Sequence, residues 1–481
     1  MSTITFEIND NTGLTDDQGI VYVAGWINGG SYDSTAHTTD FKILGSTGAF
    51  EATTGSTLPF YPLSTMPPVT LTDTTNGNDR LVFMVSTKAP KALDLLAQTW
   101  TSKDKKTGKT ITHDVYDDVQ MYTQYPYLNA PGVAAEGPYD FIEFGMDAAF
   151  DVSAVDGMCL NLNFTVSGNG GAPDESFGVD SSVTRADIAS AYTAFLANQT
   201  GIAGSDAYSV LLYDAPITGS IYTPPLVAGQ FFALTGPNDY LAATTSNYST
   251  SSGSALETYW TATLQSFFQD GNMLSINLSG DATNPNIYAG TCQTKTNPTT
   301  GTDMLAYSLS NGTNTYDFFT PLGADPVTAP NELQGAQYVF QQAFTDDLTP
   351  GVTAPEAMLL QDTIWEALCR GVALDGVGAL GATETPTAFS TTAWNDDSKW
   401  YSATAISQLY AKFLHTSDVN GNDYRTVGTT PIMIGGAAYG FSMDETPIGP
   451  YSGGQVPSKT LANISEGTVT VNVGPWVAAS T

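Results

Sequence analysis

Through the first 180 residues the apolar positions come in short runs rich in β-branched and aromatic side chains. Ile20-Val-Tyr-Val-Ala-Gly-Trp26 and Arg80-Leu-Val-Phe-Met-Val85 are two of them. Gly, Asn, Asp and Thr clusters punctuate the runs, as at Asn28-Gly-Gly and Asn76-Gly-Asn-Asp, and this predicts strands joined by turns in a sandwich or barrel. The middle of the chain changes period. Ser182 to Leu196 places Ile188, Tyr192 and Phe195 on one helical face, with Thr184 as N-cap. Further helices are predicted over Leu256–Phe268, from Ala354 to about Val372, and over Ser402–His415, with strands and Asn/Thr/Gly-rich loops between them. From about Pro431 the pattern is β again, ending in Gly467-Thr-Val-Thr-Val-Asn-Val-Gly474.

This order predicts a mainly β protein: a β-sandwich or barrel over residues 1–181, a large inserted mixed α/β domain over 182–430, and C-terminal strands over 431–481 that return to complete the first domain. A chain of 481 residues is long enough for two or three such units. No internal repeat of 20 to 50 residues is visible.

Charge narrows the partners. The net charge is −33, yet Asp plus Glu total only 48; the imbalance arises because Lys plus Arg total 15. Phosphate binding needs a basic surface, so nucleic acid is excluded, and anionic membranes are disfavoured on the same ground. A neutral polysaccharide meets no electrostatic conflict. No apolar run reaches 18 residues, so no transmembrane helix is expected. Cys159, Cys292 and Cys369 lie far apart without metal spacing and allow one disulfide at most.

The most informative stretch is Tyr139-Asp-Phe-Ile-Glu-Phe144 followed by Phe150-Asp-Val-Ser-Ala-Val-Asp-Gly-Met-Cys-Leu-Asn-Leu-Asn-Phe164. Read as one strand, the second run puts Phe150, Val152, Ala154, Met158, Leu160, Leu162 and Phe164 on a single face with Asp156 in their midst. Glu143 stands likewise beside Phe141, with Ile142 and Phe144 on the opposite face. A carboxylate in apolar surroundings must be paired, protonated or exposed in a cleft. Two such groups on nearby strands suit glycoside hydrolysis, in which one carboxyl protonates the leaving oxygen and the other activates water or attacks the sugar. The competing reading is structural: Asp156 opens a turn with Gly157, and Glu143 pairs with an arginine.

Glu143-Phe144 followed by Phe150-Asp-Val-Ser-x-Val-Asp-Gly157 resembles the signature of thaumatin-like proteins, and that resemblance implies an acidic cleft lined by Glu143, Asp151 and Asp156. Ile4-Thr-Phe-Glu-Ile-Asn-Asp10 and Tyr22-Val-Ala-Gly-Trp26 resemble the family's opening strands. Ala438-Tyr-Gly-Phe-Ser-Met-Asp-Glu445 resembles its closing segment, which adds Asp444 as a substrate-binding candidate. The scarcity of cysteine and the long insertion are similar to glycoside hydrolase family 64, the bacterial β-1,3-glucanases. So are Trp365-Glu-Ala-Leu-Cys-Arg-Gly-Val-Ala373, Gln408-Leu-Tyr-Ala-Lys-Phe-Leu-His415 and Asn314-Thr-Tyr-Asp-Phe-Phe319. The resemblance implies an inverting β-1,3-glucanase with Glu143 as general acid and Asp156 as general base, in a cleft between two domains, with no metal and no cofactor. It also implies an extracellular protein, although no basic-then-apolar leader is visible. Gly145 stands where the family usually has Thr, and Gln408-Leu409 where it has Asn-His.

A second reading uses the same scaffold without catalysis: a glucan-binding protein, or a surface-layer or filament subunit in which few bases and abundant Thr, Asn, Ser and Gly favour self-assembly. Among other candidates, Asp418-Val-Asn-Gly-Asn-Asp423 faintly resembles a calcium loop but lacks its distal Glu, and reads as a turn. His37, His113 and His415 have no zinc spacing. Trp394, Trp400 and Tyr401 suit either sugar stacking or core packing. The six Asn-X-Ser/Thr sequons are expected by chance in a chain rich in Asn and Thr.

Overall fold

The computed structural model describes residues 3–28, 41–52, 57–72, 79–90, 92–103, 110–119, 137–145, 150–154, 157–213, 233–237, 255–279, 285–297, 301–320, 355–374, 388–390, 394, 396–438, 464 and 466–476.

Alternation builds a β-sandwich. In Ile4–Asp10, Ile4 and Phe6 are fully buried while Glu7 faces water; in Gly467–Val473 the three valines point inward and the Thr and Asn residues outward. The first sheet runs Glu175–Gly178, Leu162–Ser167, Gly467–Val473, Ile4–Asp10, Val69–Leu71. The C-terminal strand therefore lies between two strands from the first part of the chain, parallel to Ile4–Asp10 and antiparallel to Leu162–Ser167. Asn472 ties this sheet on its outer face, donating to Asn163 (2.8 Å) and accepting from Asn9 (3.1 Å).

The second sheet runs Asp151–Val152, Tyr139–Phe144, Asp79–Ser86, Ile20–Asn28, Phe41–Leu44, Phe50–Ala52, with Tyr61–Pro62 beside Ile20–Asn28. The inner faces of the two sheets share one apolar core in which Phe6, Phe144, Phe150 and Phe164 interlock, Phe6 and Phe144 with centroids 5.0 Å apart. Both strand orders are linear, so of sandwich and barrel the described residues form a sandwich.

The second core holds residues from 154 to 438. Its helix Arg185–Asn198 starts where the sequence predicts. Thr184 Oγ1 accepts from the Asp187 amide, and the Asp187 carboxylate accepts from the Thr184 amide. Ile188, Tyr192 and Phe195 are its buried face. A five-stranded sheet, ordered Thr315–Phe319, Asp303–Ser310, Ile287–Thr296, Met273–Asn277, Ala388–Ser390, packs against the same core.

Three expectations shift. The predicted helix over Leu256–Phe268 is two pieces, Ala255–Thr258 and Thr261–Phe267, broken where Tyr259 and Trp260 bury their rings. The predicted helix over Ser402–His415 is shorter, Leu409–Thr416, because the Gln408 side chain accepts from Ala411 N and caps the helix there. After Pro431 the described chain makes isolated bridges and a single 3-10 turn, Ile434–Gly436, before the strand Gly467–Val473.

Candidate active site

Strand Tyr139–Phe144 lies between Asp79–Ser86 and Asp151–Val152, and Glu143 is directly opposite Arg80 on one side and Asp151 on the other. Trp26 is in turn opposite Arg80. Directly opposed residues share a face. Ile142 and Phe144 belong to the sandwich core, so Trp26, Arg80, Glu143 and Asp151 form a row on the outer face. Arg80 Nε donates to Glu143 Oε1 at 2.7 Å, and Nη2 converges on the same oxygen. The guanidinium lies 4.6 Å from the Phe141 ring centre and 5.7 Å from that of Trp26. Glu143 is thus an outward carboxylate in aromatic surroundings, and its charge is met by an arginine (side-chain exposure 19% and 11%). Asp151, at 8% exposure, is more deeply set.

The run Phe150–Phe164 is not one strand. It contributes Asp151–Val152 to the second sheet, Gly157–Met158 to a small sheet with Ala233–Thr235, and Leu162–Ser167 to the first sheet. The face shared by even-numbered positions is lost, because the chain changes sheet twice within it. Asp156 itself lies outside the described residues, as does Asp444. The chain is anchored on both sides of residues 155 and 156. Tyr410 donates its hydroxyl to the Ala154 carbonyl at 2.6 Å, and Gly157 pairs with Thr235.

Asp140, three residues before Glu143, is buried at 4% exposure, and its Oδ2 accepts from the amides of Cys159 (2.8 Å) and Leu160 (2.6 Å). Burial pushes its carboxyl up to about 7, against the opposing pull of those two amides and of the Arg185 guanidinium. Arg185, fully buried, donates Nε to the Cys159 carbonyl and lies 4.2 Å from the Trp476 ring centre.

A crystal structure of a family 64 β-1,3-glucanase domain from Clostridium beijerinckii superposes on 98% of this chain and 98% of its own, with a TM-score of 0.55 and 15% identity. This is the fold of glycoside hydrolase family 64. A laminaripentaose-producing β-1,3-glucanase in complex with laminaritetraose covers 99% of the chain and 100% of its own, with a TM-score of 0.54 and 13% identity. The sequence matches no protein-family model and no curated protein. At such identities the likeness is one of fold.

Within the family 64 fold, the other candidates find structural places. Trp394, Trp400 and Tyr401 are at most 3% exposed, which decides for core packing. The Trp400 ring lies 3.8 Å from the Arg370 guanidinium, and Tyr401 stacks on His415. His415 Nδ1 is 2.9 Å from the Gly436 carbonyl oxygen. The Asp418 carboxylate accepts from the amides of Asn420 and Asn422 and from the Thr429 hydroxyl, so its loop is a turn closed on itself. Gly421 in that turn has φ +73°, and a Cβ there would fall 2.3 Å from Phe195 N. No group of three metal-ligating side chains occurs among the described residues, and the three cysteines are buried thiols that no disulfide joins. No described helix is long and apolar enough to cross a membrane.

Sequence reasoning missed Arg80, Asp140, Arg185 and Tyr410. Asp140 carried a readable signal: it shares a strand face with Ile142 and Phe144, the same anomaly that singled out Asp156. The other three act across 26 to 256 residues of chain, or from the neighbouring strand, and nothing local marks them.

Proposed function

We propose that the protein is a glycoside hydrolase that cleaves β-1,3-glucan by an inverting mechanism, in a cleft between the sandwich and the inserted region. The observation that carries this reading is a family 64 fold over the whole chain with Glu143 on the outward row beside Arg80 and Asp151. In this reading Glu143 is the general acid and Asp156 the general base. The first protonates the departing glycosidic oxygen, while the second takes a proton from water attacking the opposite face of the sugar. Arg80 occupies Oε1 of Glu143, so proton donation runs through the other oxygen or follows a shift of the guanidinium when sugar binds. Asp151 and Asp444 would bind sugar hydroxyls, a neutral partner that a chain of charge −33 does not repel. The domain limits 1–181, 182–430 and 431–481 and an extracellular location belong to the same reading.

Two observations favour the non-catalytic alternative: Glu143 is held by Arg80, and Trp394, Trp400 and Tyr401, the candidates for sugar stacking, are in the core. Reducing-sugar release from a soluble β-1,3-glucan separates the two. Wild type should release sugar, and Glu143→Gln should lose about a hundredfold or more in kcat. A wild type that binds glucan or self-assembles in sedimentation without releasing sugar would establish the alternative.

A further inference from the structure

Asp140 is a buried carboxylate to which the proposed acid–base chemistry assigns no task, and it touches three parts of the molecule at once. Its own strand, Tyr139–Phe144, bears Glu143. Its Oδ2 receives the amides of Cys159 and Leu160, in the short connection between Gly157–Met158 and Leu162–Ser167. The carbonyl of the same Cys159 is held by Arg185, the first residue of the helix Arg185–Asn198, whose amide donates to the Pro475 carbonyl at 3.0 Å.

This arrangement is a clasp. Within 20 residues of sequence the chain leaves the second sheet, visits the small sheet and enters the first, and no ladder hydrogen bonds run between strand Tyr139–Phe144 and Gly157–Met158. One carboxylate oxygen replaces them. Hydrogen bonds to an ionised acceptor are about twice as strong as neutral ones, and two on one oxygen fix a backbone segment in distance and direction.

We propose that Asp140 is a positioning residue for the candidate carboxylate pair: by gripping the amides of Cys159 and Leu160 it sets the segment that follows Asp156 in register with the strand that carries Glu143. This rests on the glucanase reading, since only acid–base chemistry between two carboxyls makes their relative placement consequential. The groups that face Asp140 are Arg185, from the inserted region, and Cys159, from the gripped segment. With the carboxyl pushed up to about 7, the clasp tightens as pH rises through neutrality, where the charged acceptor forms.

The test is Asp140→Asn, which keeps the shape and one acceptor oxygen but removes the charge. Hydrogen exchange followed by mass spectrometry on peptides spanning residues 157–162 should show about tenfold faster exchange or more, with Ile287–Thr296 as an unaffected control. On soluble β-1,3-glucan kcat should fall about tenfold with KM within about twofold, and a limb of the pH–rate profile that rises towards about pH 7 in wild type should vanish. Equal kcat and equal profiles in an active wild type and variant would overturn the inference while leaving the glucanase reading intact. If wild type shows no hydrolysis, that reading falls instead, and the exchange arm alone decides the clasp. Should the variant not fold, wild type suffices: protection of residues 157–162, corrected for intrinsic exchange, must rise between pH 6 and 8 around the value of about 7, and a flat response refutes the clasp.

Discussion

Glu366 and Arg370 stand one turn apart on helix Pro355–Cys369 and its C-terminal end, with Nη2 and Oε1 2.7 Å apart and side-chain exposures of 1% and 2%. At that separation and an effective dielectric of about 20 the attraction is about 6 kcal/mol, and the desolvation of two buried ions offsets most of it. The net contribution of the pair is therefore small, while the cost of breaking it is large. Glu366→Leu leaves a guanidinium that cannot shed its proton, packed against Trp400 at 3.8 Å, and should cost about 3–5 kcal/mol, a fall in Tm of roughly 3–5 °C for a chain of 481 residues. Arg370→Met should cost about as much at neutral pH and less in acid, because a buried carboxylate that has lost its arginine can take up a proton. The double variant should return to within about 1–2 kcal/mol of wild type, giving a coupling energy of about 3 kcal/mol or more. Urea unfolding followed by far-UV circular dichroism reads this directly, since the described α-helices all lie between residues 185 and 427. A Glu366→Leu cost under about 1 kcal/mol, or a double variant as unstable as the single, would refute the argument that burial governs this pair.

Two further outcomes follow from local features. Thr184→Ala removes one half of the capping box and should cost about 1 kcal/mol, seen as a fall of about 1 °C in Tm or as an earlier midpoint in urea. Lys412, at 4% exposure with Nζ donating to the Ser402 carbonyl, has its ammonium pushed down to about 8 by burial, with Asp423 pulling up and Arg425 pulling down. Its folded form binds fewer protons than the unfolded chain between about 8 and its ordinary value of 10.5, so it adds stability as pH rises through that window. Relative to wild type, Lys412→Met should then be most favoured below pH 8 and lose ground towards pH 10; a difference that is flat with pH would contradict the burial argument.

The period of the sequence alone determined the strands Ile20–Asn28 and Asp79–Ser86, the start of the helix at Thr184, and the placing of Glu143 on the strand face opposite Ile142 and Phe144. These are readable because alternation, helical spacing and capping are settled within a few residues of chain. The return of Gly467–Val473 to the first sheet was legible from the order of β and α/β patterns, although its parallel pairing with Ile4–Asp10 was not. Only the tertiary structure decided that Phe150–Phe164 splits among three sheets, that Arg80 meets Glu143, and that Trp394, Trp400 and Tyr401 turn inward. Each of those depends on which distant surfaces bury against one another. Burial is a property of the packed pair of elements, so the same apolar run reads alike whether it crosses one sheet or three.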